Sequence, residues 1–550
     1  MKLNEKIRTY LDDVPESVKE ELSRAWGERK RETYSAAEKH GIKIEEGDSF
    51  NRVVTFELEP GFYHIKSDIV SVRDISPEYS DIGILCEGVI SRMVTTEKEK
   101  GCNPLFASNV CDWDSRYAKK VGANVRLRDS IIKSCIKNDI VLIGGETANL
   151  GDQVREKGMS WMFTLLSEYT NSLTNPTRQL DSEMDLALQS TFDHIADSKN
   201  YEIVYEKGMP LLHVKKKAKL LMTADGTGSK SKVCEKVNKR TDINDTLAMC
   251  CDDATREGGF PIIGSIGTHA ENSRGKNQIT SNMIETGKNN SIPLIGCAYH
   301  VSADVDTYIM NGVVLSEVRE GTAHIGKKIE IGLPVVLLYE EQRSNGITMQ
   351  RRILSETFGE EWYEVKSSEA LKFLNKELQG KYSDLKLHDE ERSLGELVAQ
   401  PSTPYFRVDS MMPQHLLDKV KFRINVSSGG LIGKTRRLLE PVGLGANYHD
   451  VFGAPGLILL LQMSSRLEGT RGVVTDKVAY YTWGCGNGAA IGTEEPESIV
   501  DYYNSKGIRA KIGGVVIAQP EINITSKCLD STLKSKPHII NHKYREKPLG

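Results

Sequence analysis

Short apolar runs alternate with longer amphipathic stretches along most of the chain. Pro334–Tyr339 and residues 513–518 have the length of buried strands, whereas Pro496–Ser505 has the length and pattern of a helix. Strands that alternate with helices predict an α/β or α+β layer fold. No apolar run approaches the ~18 residues of a membrane span, and one of the longest, residues 457–461, suits a core element.

The first part of the chain contains an internal repeat. Three features recur in the same order at one constant offset: Asp68 falls on Asp225, Gly101 on Gly258, and Pro104-Leu105-Phe106 on Pro261-Ile262-Ile263. Further on, each copy has a helix-like stretch that leads into a buried strand, at 126–144 and at 278–296. The offset is smaller there, so one loop is shorter in the second copy. Several weak matches in one order predict two tandem copies of one domain.

The repeat divides the chain into predicted segments. A charged helix over 17–40, closed by Gly41, precedes the first copy, and a linker rich in Asp, Ser and Asn over 169–201 follows it. The predicted division is an N-terminal helical extension (1–50), a first α/β domain (51–170), a second α/β domain (200–330), a C-terminal α+β domain (332–528) and a basic tail (529–550). Within the C-terminal domain, a charged insertion near 367–392 is interpreted as a helical pair or a loop.

Composition narrows the class of protein. An apolar fraction of 39%, a charged fraction of 27% and a net charge of −4 are typical of a globular protein and disfavour a nucleic-acid partner. The start of the chain has no apolar signal region, and no membrane partner is expected. The ten cysteines form no CxxC pair and no zinc-ligand spacing, so we expect reduced, mostly buried thiols in a cytoplasmic protein.

A glycine-rich loop in the second copy is the first candidate for chemistry. Asp225-Gly226-Thr227-Gly228-Ser229-Lys230 follows the apolar run 220–223. Glycines at a strand end let backbone N–H groups approach phosphate oxygens, Lys230 supplies a positive charge, and Asp225 can ligate Mg²⁺. The spacing is not that of a Walker A loop. The alternative interpretation is a tight turn with surface charges.

Three carboxylates follow that loop. Asp245 and Asp252 are seven residues apart, which places them on one face of a helix, and Asp253 is adjacent. Carboxylates that converge beside a glycine-rich loop suit a Mg²⁺ site for ATP. The alternative is a helix with ordinary surface acids.

The first copy holds a different loop after its buried strand, Gly144-Gly145-Glu146-Thr147-Ala148-Asn149. Two glycines again permit close backbone approach, here with a carboxylate and a hydroxyl. A plain glycine turn is the alternative.

The two copies are complementary in these loops. At the place of the glycine-rich loop the first copy has Asp68-Ile69-Val70-Ser71-Val72-Arg73, and at the place of Asp252 and Asp253 it has Thr95 and Thr96. The second copy has Gly296-Cys297-Ala298-Tyr299 at the place of the Gly144 loop. We therefore predict a pseudo-two-fold pair with one composite site, which combines the Asp225 loop of one copy with the Glu146 loop of the other. The second composite site is predicted to be inactive.

In order and spacing, these motifs resemble the aminoimidazole ribonucleotide synthetase (phosphoribosylformylglycinamidine cyclo-ligase) superfamily. The resemblance continues in the C-terminal segment with Ser344-Asn345-Gly346, Ser427-Ser428-Gly429-Gly430-Leu431 and residues 481–488. It implies that strands of the two copies pair in a pseudo-dimeric β-barrel and that the α+β domain closes over the substrate. It also implies ATP and Mg²⁺ as cofactors and closure of formylglycinamidine ribonucleotide to aminoimidazole ribonucleotide through an iminophosphate.

The resemblance also implies roles for residues. Lys230, Glu146 and Asp225 would be catalytic, and Asp225, Asp245, Asp252 and Asp253 would hold the metal. The nucleotide would contact Gly226, Thr227, Gly228, Ser229, Lys230, Gly144, Gly145 and Thr147. The substrate would contact Arg343, Ser344, Asn345, Gly429 and Gly430. Arg343, Arg436 or Arg437 could hold a substrate phosphate, and a surface role is the alternative for each of these arginines.

Several positions depart from the family pattern. Arg343 stands where the family has histidine, Asn109 and Ile266 where it has aspartate, and Asp252 where it has asparagine. The run after Ala148 also differs, beginning with Asn149. These departures bear on the substrate more than on ATP.

Three functions therefore stay open: the cyclo-ligase; another ATP-using member of the superfamily, of the selenophosphate synthetase, thiamine-monophosphate kinase, hydrogenase-maturation dehydratase or formylglycinamidine synthetase type; and a non-catalytic nucleotide-binding protein. Lys230→Ala and Glu146→Ala are expected to abolish turnover without loss of the fold, and Arg73→Ala to have little effect. The partner is expected to be a small nucleotide substrate, and the chain a monomer or a homodimer.

Overall fold

The structure is a computed structural model. It describes residues 31–46, 54–72, 80–113, 123–144, 146–149, 154, 158–173, 180, 182–195, 199–303, 305–319, 322, 328–387, 391–470, 472–532 and 537–544. These residues fall into two compact units. The first, here the N-terminal unit, lies within Glu20–Lys232 and Asp242–Ala323, and the second, the C-terminal unit, lies within Val233–Thr241 and His324–Gly550.

The N-terminal unit contains both predicted copies. Its first elements are a short helix and two strands: α1 (Ser35–Lys39), β1 (Ile44–Glu46) and β2 (Val54–Leu58). The first copy continues with β3 (Gly61–Val72), α2 (Ser80–Glu99), β4 (Cys102–Trp113), α3 (Ala123–Lys137), β5 (Val141–Leu142), β6 (Glu146–Asn149) and β7 (Met159–Tyr169). Nearly every residue of β4 and β7 is buried, including polar residues such as Asn109 and Thr164.

The second copy follows the same order. Before its long strands come α4 (Glu183–Leu188), β8 (Tyr201–Glu206) and β9 (Met209–Val214). The copy continues with β10 (Ala218–Gly226), α5 (Lys230–Lys236), α6 (Thr241–Arg256), β11 (Gly259–Ala270), α7 (Lys276–Asn290), β12 (Ala298–Val301) and β13 (Tyr308–Val318). Helix α6 turns apolar residues such as Leu247 and Cys250 toward the sheet, where they pack on Gly264 and Gly312.

The two copies agree in detail as well as in order. The pairing of β4 with β7 breaks between Pro104 and Phe106, and that of β11 with β13 breaks at the equivalent place, between Pro261 and Ile263. The turns before these strands also agree, since Gly101 and Gly258 have φ of 83° and 82°. The internal repeat predicted from the sequence is therefore present in the backbone.

The two sheets of this unit exchange their leading hairpins. Strands β1 and β2 precede the first copy, but β2 pairs with β10 of the second, from Ala218 with Leu58 to Leu221 with Thr55. Strands β8 and β9 precede the second copy, but β9 pairs with β3 of the first. The resulting sheet orders are β1-β2-β10-β13-β11-β12 and β5-β4-β7-β3-β9-β8, with β6 beside β4.

The faces of the two sheets also contact each other. The rings of Phe56 and Phe106 stack with their centroids 4.0 Å apart, and the hydroxyls of Ser67 and Ser265 are 2.7 Å apart. The backbone N–H of Ser67 donates to the carbonyl of Gly296 at 3.0 Å. These contacts and the exchanged hairpins agree with the predicted pairing of strands between the two copies.

The structural repeat begins earlier than the sequence indicated. The backbone N–H of Leu142 donates to the hydroxyl of Thr33 at 2.9 Å, and that of Leu294 donates to the hydroxyl of Thr191 at 3.0 Å. Both threonines lie in short 3₁₀ helices, Arg31–Thr33 and Gln189–His194. The segments interpreted as an extension and a linker thus hold equivalent elements, although the domain boundaries themselves stay predictions.

The C-terminal unit is built on one mixed sheet in the order β15-β17-β14-β18-β16-β19-β20. Its strands are β14 (Pro334–Tyr339), β15 (Val420–Asn425), β16 (Gly445–Tyr448), β17 (Asn487–Thr493), β18 (Ala510–Ile517), β19 (Glu521–Thr525) and β20 (Ile539–Lys543). Its helices are α8 (Ile347–Phe358), α9 (Ser367–Glu377), α10 (Leu394–Val398), α11 (Tyr405–Asp409), α12 (Gln414–Leu417), α13 (Gly430–Leu439), α14 (Gly456–Ser464), α15 (Asp476–Thr482), α16 (Pro496–Ser505) and α17 (Leu529–Thr532).

These elements confirm the predicted fold class of two tandem α/β repeats and a C-terminal α+β part. Pro334–Tyr339 and Pro496–Ser505 are a strand and a helix as predicted, and residues 457–461 are buried in α14. In the described part of the predicted 17–40 helix, a 3₁₀ turn (Arg31–Thr33) and the short α1 replace one continuous helix, and Gly41 follows with φ 66°. Residues 17–30 lie outside the described part. In its described residues, the 367–392 insertion contains one helix, α9, and not a helical pair. Among the described residues, no helix has the length and apolarity needed to cross a membrane.

Candidate functional site

The glycine-rich loop connects β10 to α5. An added Cβ at Gly226 would lie 2.3 Å from Oδ1 of Asn311, so the close approach of these two strands requires glycine. Gly228 has φ 56°, a left-handed conformation that side chains disfavour. The N–H of Thr227 donates to the carbonyl of Met310, and its hydroxyl is 3.2 Å from that of Ser231. The loop is therefore a fixed turn of closely packed backbone.

Asp225 caps the end of the strand. Its Oδ1 accepts the N–H of Gly226 at 2.7 Å, and its side chain is partly exposed. Asp68, its equivalent in the first copy, accepts the N–H of Ile69 at 2.9 Å in the same way. The predicted alignment of these two aspartates is thus also a conformational equivalence, and the carboxylate orientation belongs to the fold of both copies.

Lys230 and Asp245 form an ion pair in the interior of the N-terminal unit. Both side chains are 0% exposed, and the ammonium group donates to Oδ2 of Asp245. Sequence reasoning assigned Lys230 to phosphate and Asp245 to a metal, whereas the structure joins the two side chains to each other. Moving two charges into the interior costs several kcal/mol per ion by order of magnitude, and the pair offsets that cost only while both members are present.

The other two predicted metal ligands lie further along α6. Asp252 is fully buried, and Asp253 is partly exposed and pairs with Arg256 at 3.2 Å. Burial lowers the pKa of Arg256, but the carboxylates of Asp253, Glu257 and Asp225 raise it above its ordinary value. A guanidinium group therefore already compensates part of the negative charge on this helix, a role of Arg256 that sequence reasoning missed.

The loop kept by the first copy lies beside the strand that carries the second copy's loop. Strand β6, which begins at Glu146, pairs with β4 and also contacts β10. An added Cβ at Gly144 would lie 3.8 Å from the carbonyl oxygen of Met222 in β10. Gly145 lies outside the described residues. The backbone of residues 146–149 and the Asp225 loop thus belong to one seam between the copies.

A polar contact that sequence reasoning missed crosses this seam. The amide of Asn311 on β13 donates to Oδ2 of Asp112 on β4 at 2.7 Å, and both side chains are buried. Asn311 is the residue that packs on Gly226. By accepting the hydrogen bond from Asn311, Asp112 of the first copy fixes the side chain against which the second copy's loop packs. Alignment of the copies could not single out Asp112, because its equivalent is His269.

The opposite seam, between β3 and β12, has a different polar lining. Nδ1 of His269 lies 2.9 Å from the hydroxyl of Ser160, and the rings of His269 and His300 are 5.2 Å apart. Ser71 is 3.1 Å from the hydroxyl of Ser302. Arg73 lies outside the described residues. His269 thus stands at this seam where Asp112 stands at the Asp225 seam, whereas Asp68, the equivalent of Asp225, keeps its carboxylate.

His269 should make the stability of the protein depend on pH. Burial, with a contribution from His300, lowers the pKa of His269 to about 3. The unfolded chain binds a proton near pH 6.5 and the folded chain does not, so stability is complete above pH 6.5 and falls as the pH drops toward 3. Between pH 6.5 and 5 this residue should cost about 2 kcal/mol of unfolding free energy.

The His269→Asn variant, whose amide can replace Nδ1, should lose less stability over the same pH interval. Urea unfolding of both proteins at pH 7 and pH 5 measures the difference. His213→Asn, at a more exposed histidine, is the matched control and should behave as the wild type does. Equal losses for wild type and His269→Asn would contradict the assignment.

The C-terminal unit brings two groups of predicted substrate residues to one segment. The amide of Asn345 donates to the carbonyl of Thr482 at 2.7 Å, and an added Cβ at Gly430 would lie 2.2 Å from the carbonyl oxygen of Tyr480. Gly346 and Gly429 precede α8 and α13 with φ of 70° and 95°. Two helix N-termini, which favour anions, therefore lie against the end of α15.

Arg343 lies near this segment but is already paired. Its guanidinium is 3.2 Å from Oε2 of Glu340, and both side chains are nearly fully buried. Glu340 also accepts the N–H and hydroxyl of Thr403. A cavity of ≈ 20 Å³, about the room for one water molecule, is lined by residues that include Glu340, Arg343, Asn345 and Trp483. Arg436 pairs with Glu440 at 2.9 Å.

Comparison with solved structures finds proteins of similar fold. Thermotoga maritima PurL complexed with FGAR is 12% identical and has a TM-score of 0.35, and the match covers 62% of this chain and 51% of that one. HypE in the HypE–HypF complex is 12% identical with a TM-score of 0.34, covering 63% and 92%. HypE in complex with ATP is 11% identical with a TM-score of 0.36, covering 60% and 85%.

This chain spans about half the length of the PurL chains that it matches. No protein-family model matches the sequence, and no curated protein matches it. With TM-scores of this size, no residue role or substrate is transferred to this chain from these proteins.

Proposed function

We propose that the chain binds ATP with Mg²⁺ at the seam between β10 and β6 and uses it as an ATP-dependent cyclo-ligase. The observation that carries the proposal is the placement of the first copy's β6 beside the strand that ends in Asp225-Gly226 of the second copy. Each copy lacks the loop that the other keeps, so only this seam combines both. The seam on the other side is proposed to be inactive.

The fixed turn at Gly226–Ser229 suits the phosphates. The N–H groups of Gly226 and Thr227 are already bound within the protein, so phosphate oxygens would meet the backbone beyond them, where Gly228 has no Cβ in the way. Asp225 is partly exposed, whereas Asp245 and Asp252 are fully buried, so a cation that enters from solvent meets Asp225 first. Mg²⁺ bound there would neutralise charge that develops on the transferred phosphoryl group. Asp112 and Asn311 would keep the loop in place.

The proposed chemistry follows from phosphoryl transfer. The γ-phosphoryl group moves to the amide oxygen of formylglycinamidine ribonucleotide and gives an iminophosphate, an internal nitrogen attacks the activated carbon, and phosphate leaves with the oxygen. Positioning and charge stabilisation supply most of the rate. Lys230 takes part if the phosphates draw it from Asp245, and Glu146 lies on the facing strand to orient the reacting groups.

The buried Lys230–Asp245 pair also supports a second candidate. A lysine that is neutralised and 0% exposed is less available to phosphate than a surface lysine. That observation favours a nucleotide-binding protein without turnover, or another ATP-using member of the resembled superfamily with a different acceptor. The ten buried free thiols agree with a reducing compartment such as the cytoplasm. The internal pairing of the copies suits either a monomer or a homodimer.

Turnover assays separate these candidates. Phosphate release from ATP is measured with the full-length protein and Mg²⁺, with and without formylglycinamidine ribonucleotide. The cyclo-ligase predicts release that requires this substrate, together with formation of aminoimidazole ribonucleotide. Phosphate release without formation of aminoimidazole ribonucleotide would indicate an enzyme with another phosphoryl acceptor. Binding of ATP without phosphate release would indicate the non-catalytic protein.

Glu146→Ala should remove turnover, because its carboxylate is on the strand that completes the composite site. We expect a loss of at least about 100-fold in kcat, the usual effect of one well-placed catalytic group. Arg73→Ala, at the position that aligns with Lys230 in the sequence of the first copy, is the matched control and should leave the rate within a factor of about two. Equal losses in the two variants would refute the asymmetric assignment.

A further inference from the structure

A cluster of three side chains lies inside the first copy, outside the proposed nucleotide site. His64 on β3, Glu97 on α2 and Cys102 on β4 are each at most 3% exposed. Nδ1 of His64 lies 3.0 and 2.9 Å from the two carboxylate oxygens of Glu97. One possible ligand atom from each residue lies within 4.8 Å of the others. Three types of metal ligand therefore meet in the interior.

The second copy shows what this place looks like without that chemistry. Through the shared strand register and helix ends, Leu221, Ala254 and Gly259 are the equivalents of His64, Glu97 and Cys102. An added Cβ at Gly259 would lie 3.0 Å from Leu221 and 3.1 Å from the carbonyl of Ala254. Leu221 and Ala254 form a small apolar cluster with Val318. In the second copy, Leu221, Ala254 and Gly259 thus fill the three equivalent positions without any metal-binding group.

Replacing such an apolar cluster by polar groups is costly. Burying a carboxylate and an imidazole together is often no more stable than well-packed apolar side chains of similar size. A pairing of His64 with Glu97 alone would also not explain why a cysteine, Cys102, lies beside them. The first copy therefore has a histidine, a glutamate and a cysteine where the second copy has apolar residues, at a cost in stability. A ligand that binds all three groups would account for that difference between the copies.

We propose that His64, Glu97 and Cys102 bind one Zn²⁺ ion. Imidazole nitrogen, carboxylate oxygen and thiolate sulfur are the ligands that zinc takes in proteins, at about 2.0–2.3 Å from the metal. Tetrahedral geometry at those lengths separates ligand atoms by ~3.3–3.8 Å, and the ligand atoms of the cluster lie within 4.8 Å of one another. Sequence spacing could not reveal the site, because its ligands come from three separate elements.

Charge balance favours the same metal. A thiolate and a carboxylate together neutralise a divalent cation, and the imidazole binds as a neutral ligand. Binding displaces the thiol proton of Cys102 and any proton on the His64 nitrogen that takes the metal, and these protons pass to solvent. Without metal, burial first, and Glu97 next, raise the pKa of Cys102 to about 12, so the thiol stays protonated.

The site would join three elements of the first copy where the exchanged hairpin docks. Cys102 packs with Met209 and Leu211 of β9 and with Tyr169 of β7. Strand β9 pairs with β3 from Gly61 to Tyr63, directly before His64. A buried metal here would be taken up as the hairpin closes over it and would stabilise that closure.

Metal content tests the proposal. Full-length protein without an affinity tag is stripped with a chelator in mild denaturant, refolded with excess Zn²⁺, dialysed, and analysed for zinc. The triple variant His64→Leu, Glu97→Ala, Cys102→Gly, which copies the second copy's residues, is treated in parallel. The wild type should hold one more zinc ion per chain than the variant. Equal zinc in the two proteins would overturn the proposal.

Cobalt substitution gives a second measurement should the triple variant fail to fold. Co²⁺ in the wild type should show a thiolate charge-transfer band that Cys102→Ser removes and that Cys135→Ala, at another buried thiol of the same copy, retains. The group Asp476, Asp530 and His538 in the C-terminal unit has no sulfur and cannot give this band. A Co²⁺ complex without the band, or a band that survives Cys102→Ser, would refute the site.

Discussion

Lys230→Ala is expected to abolish ATP turnover and to lower the free energy of unfolding by about 3–5 kcal/mol, because it removes the positive charge beside a fully buried carboxylate. The sequence alone predicted a loss of activity with an intact fold. The burial of both side chains in the structure is the reason to expect a loss of stability in addition to the loss of activity. Urea unfolding gives the stability, and phosphate release gives the activity.

The double variant Lys230→Met, Asp245→Leu separates the two effects. Removing both charges of a buried pair is often neutral for stability, so most of the loss should be recovered. Turnover should stay absent, because the loop still lacks its lysine. If turnover returned together with stability, Lys230 would have no role beyond the fold, and its assignment to the nucleotide site would be wrong.

Gly296→Ala should destabilise the protein more than any other glycine-to-alanine substitution in the described residues of the two seams of the N-terminal unit. Its Cβ would lie 2.0 Å from the carbonyl oxygen of Ile65, a backbone atom that cannot move aside alone, and Gly296 has φ 62°. Overpacking and a left-handed alanine together should cost roughly 3–5 kcal/mol. Thermal unfolding should show a large drop, or the protein should fail to accumulate as a folded chain.

Gly144→Ala, at the equivalent position of the first copy, is the matched control. The nearest backbone atom there, the carbonyl oxygen of Met222, is 3.8 Å from the added Cβ, and the hydroxyl of Ser108 is at 3.0 Å. A side chain can rotate, so the cost should stay near 1 kcal/mol by order of magnitude. A stability loss as large as that of Gly296→Ala would show that the two seams are equally tight, against the geometry.

The repeat could be predicted because its structural features depend on residues that are close together in the sequence. Glycine turns before a strand, a Pro-containing bulge and an amphipathic helix that leads into an apolar run each have a sequence signature, and Gly101 and Gly258 or Pro104 and Pro261 keep it in both copies. The start of the repeat was missed, since Thr33 and Thr191 act through single hydrogen bonds to distant backbone.

The parts of the site that could not be predicted depend on partners far apart in the chain. Nothing near Lys230 in the sequence indicates that Asp245 neutralises it, because the pairing depends on how α5 and α6 pack. Asp112 acts through Asn311, a residue almost two hundred positions away. Such contacts follow from the tertiary fold, and the sequence pattern indicates only the elements that carry them.

The exchange of leading hairpins has a consequence for how this protein can change over evolution. In an assembly of two identical chains, every substitution arrives twice, once at each of the two symmetric clefts, so neither cleft can be altered by itself. Here the β1–β2 and β8–β9 hairpins belong to one polypeptide and lock its halves together without making them identical. Substitutions in a single gene can therefore remove catalytic groups from one cleft and leave those of the other cleft unchanged. The cleft without catalytic groups can then acquire a different function.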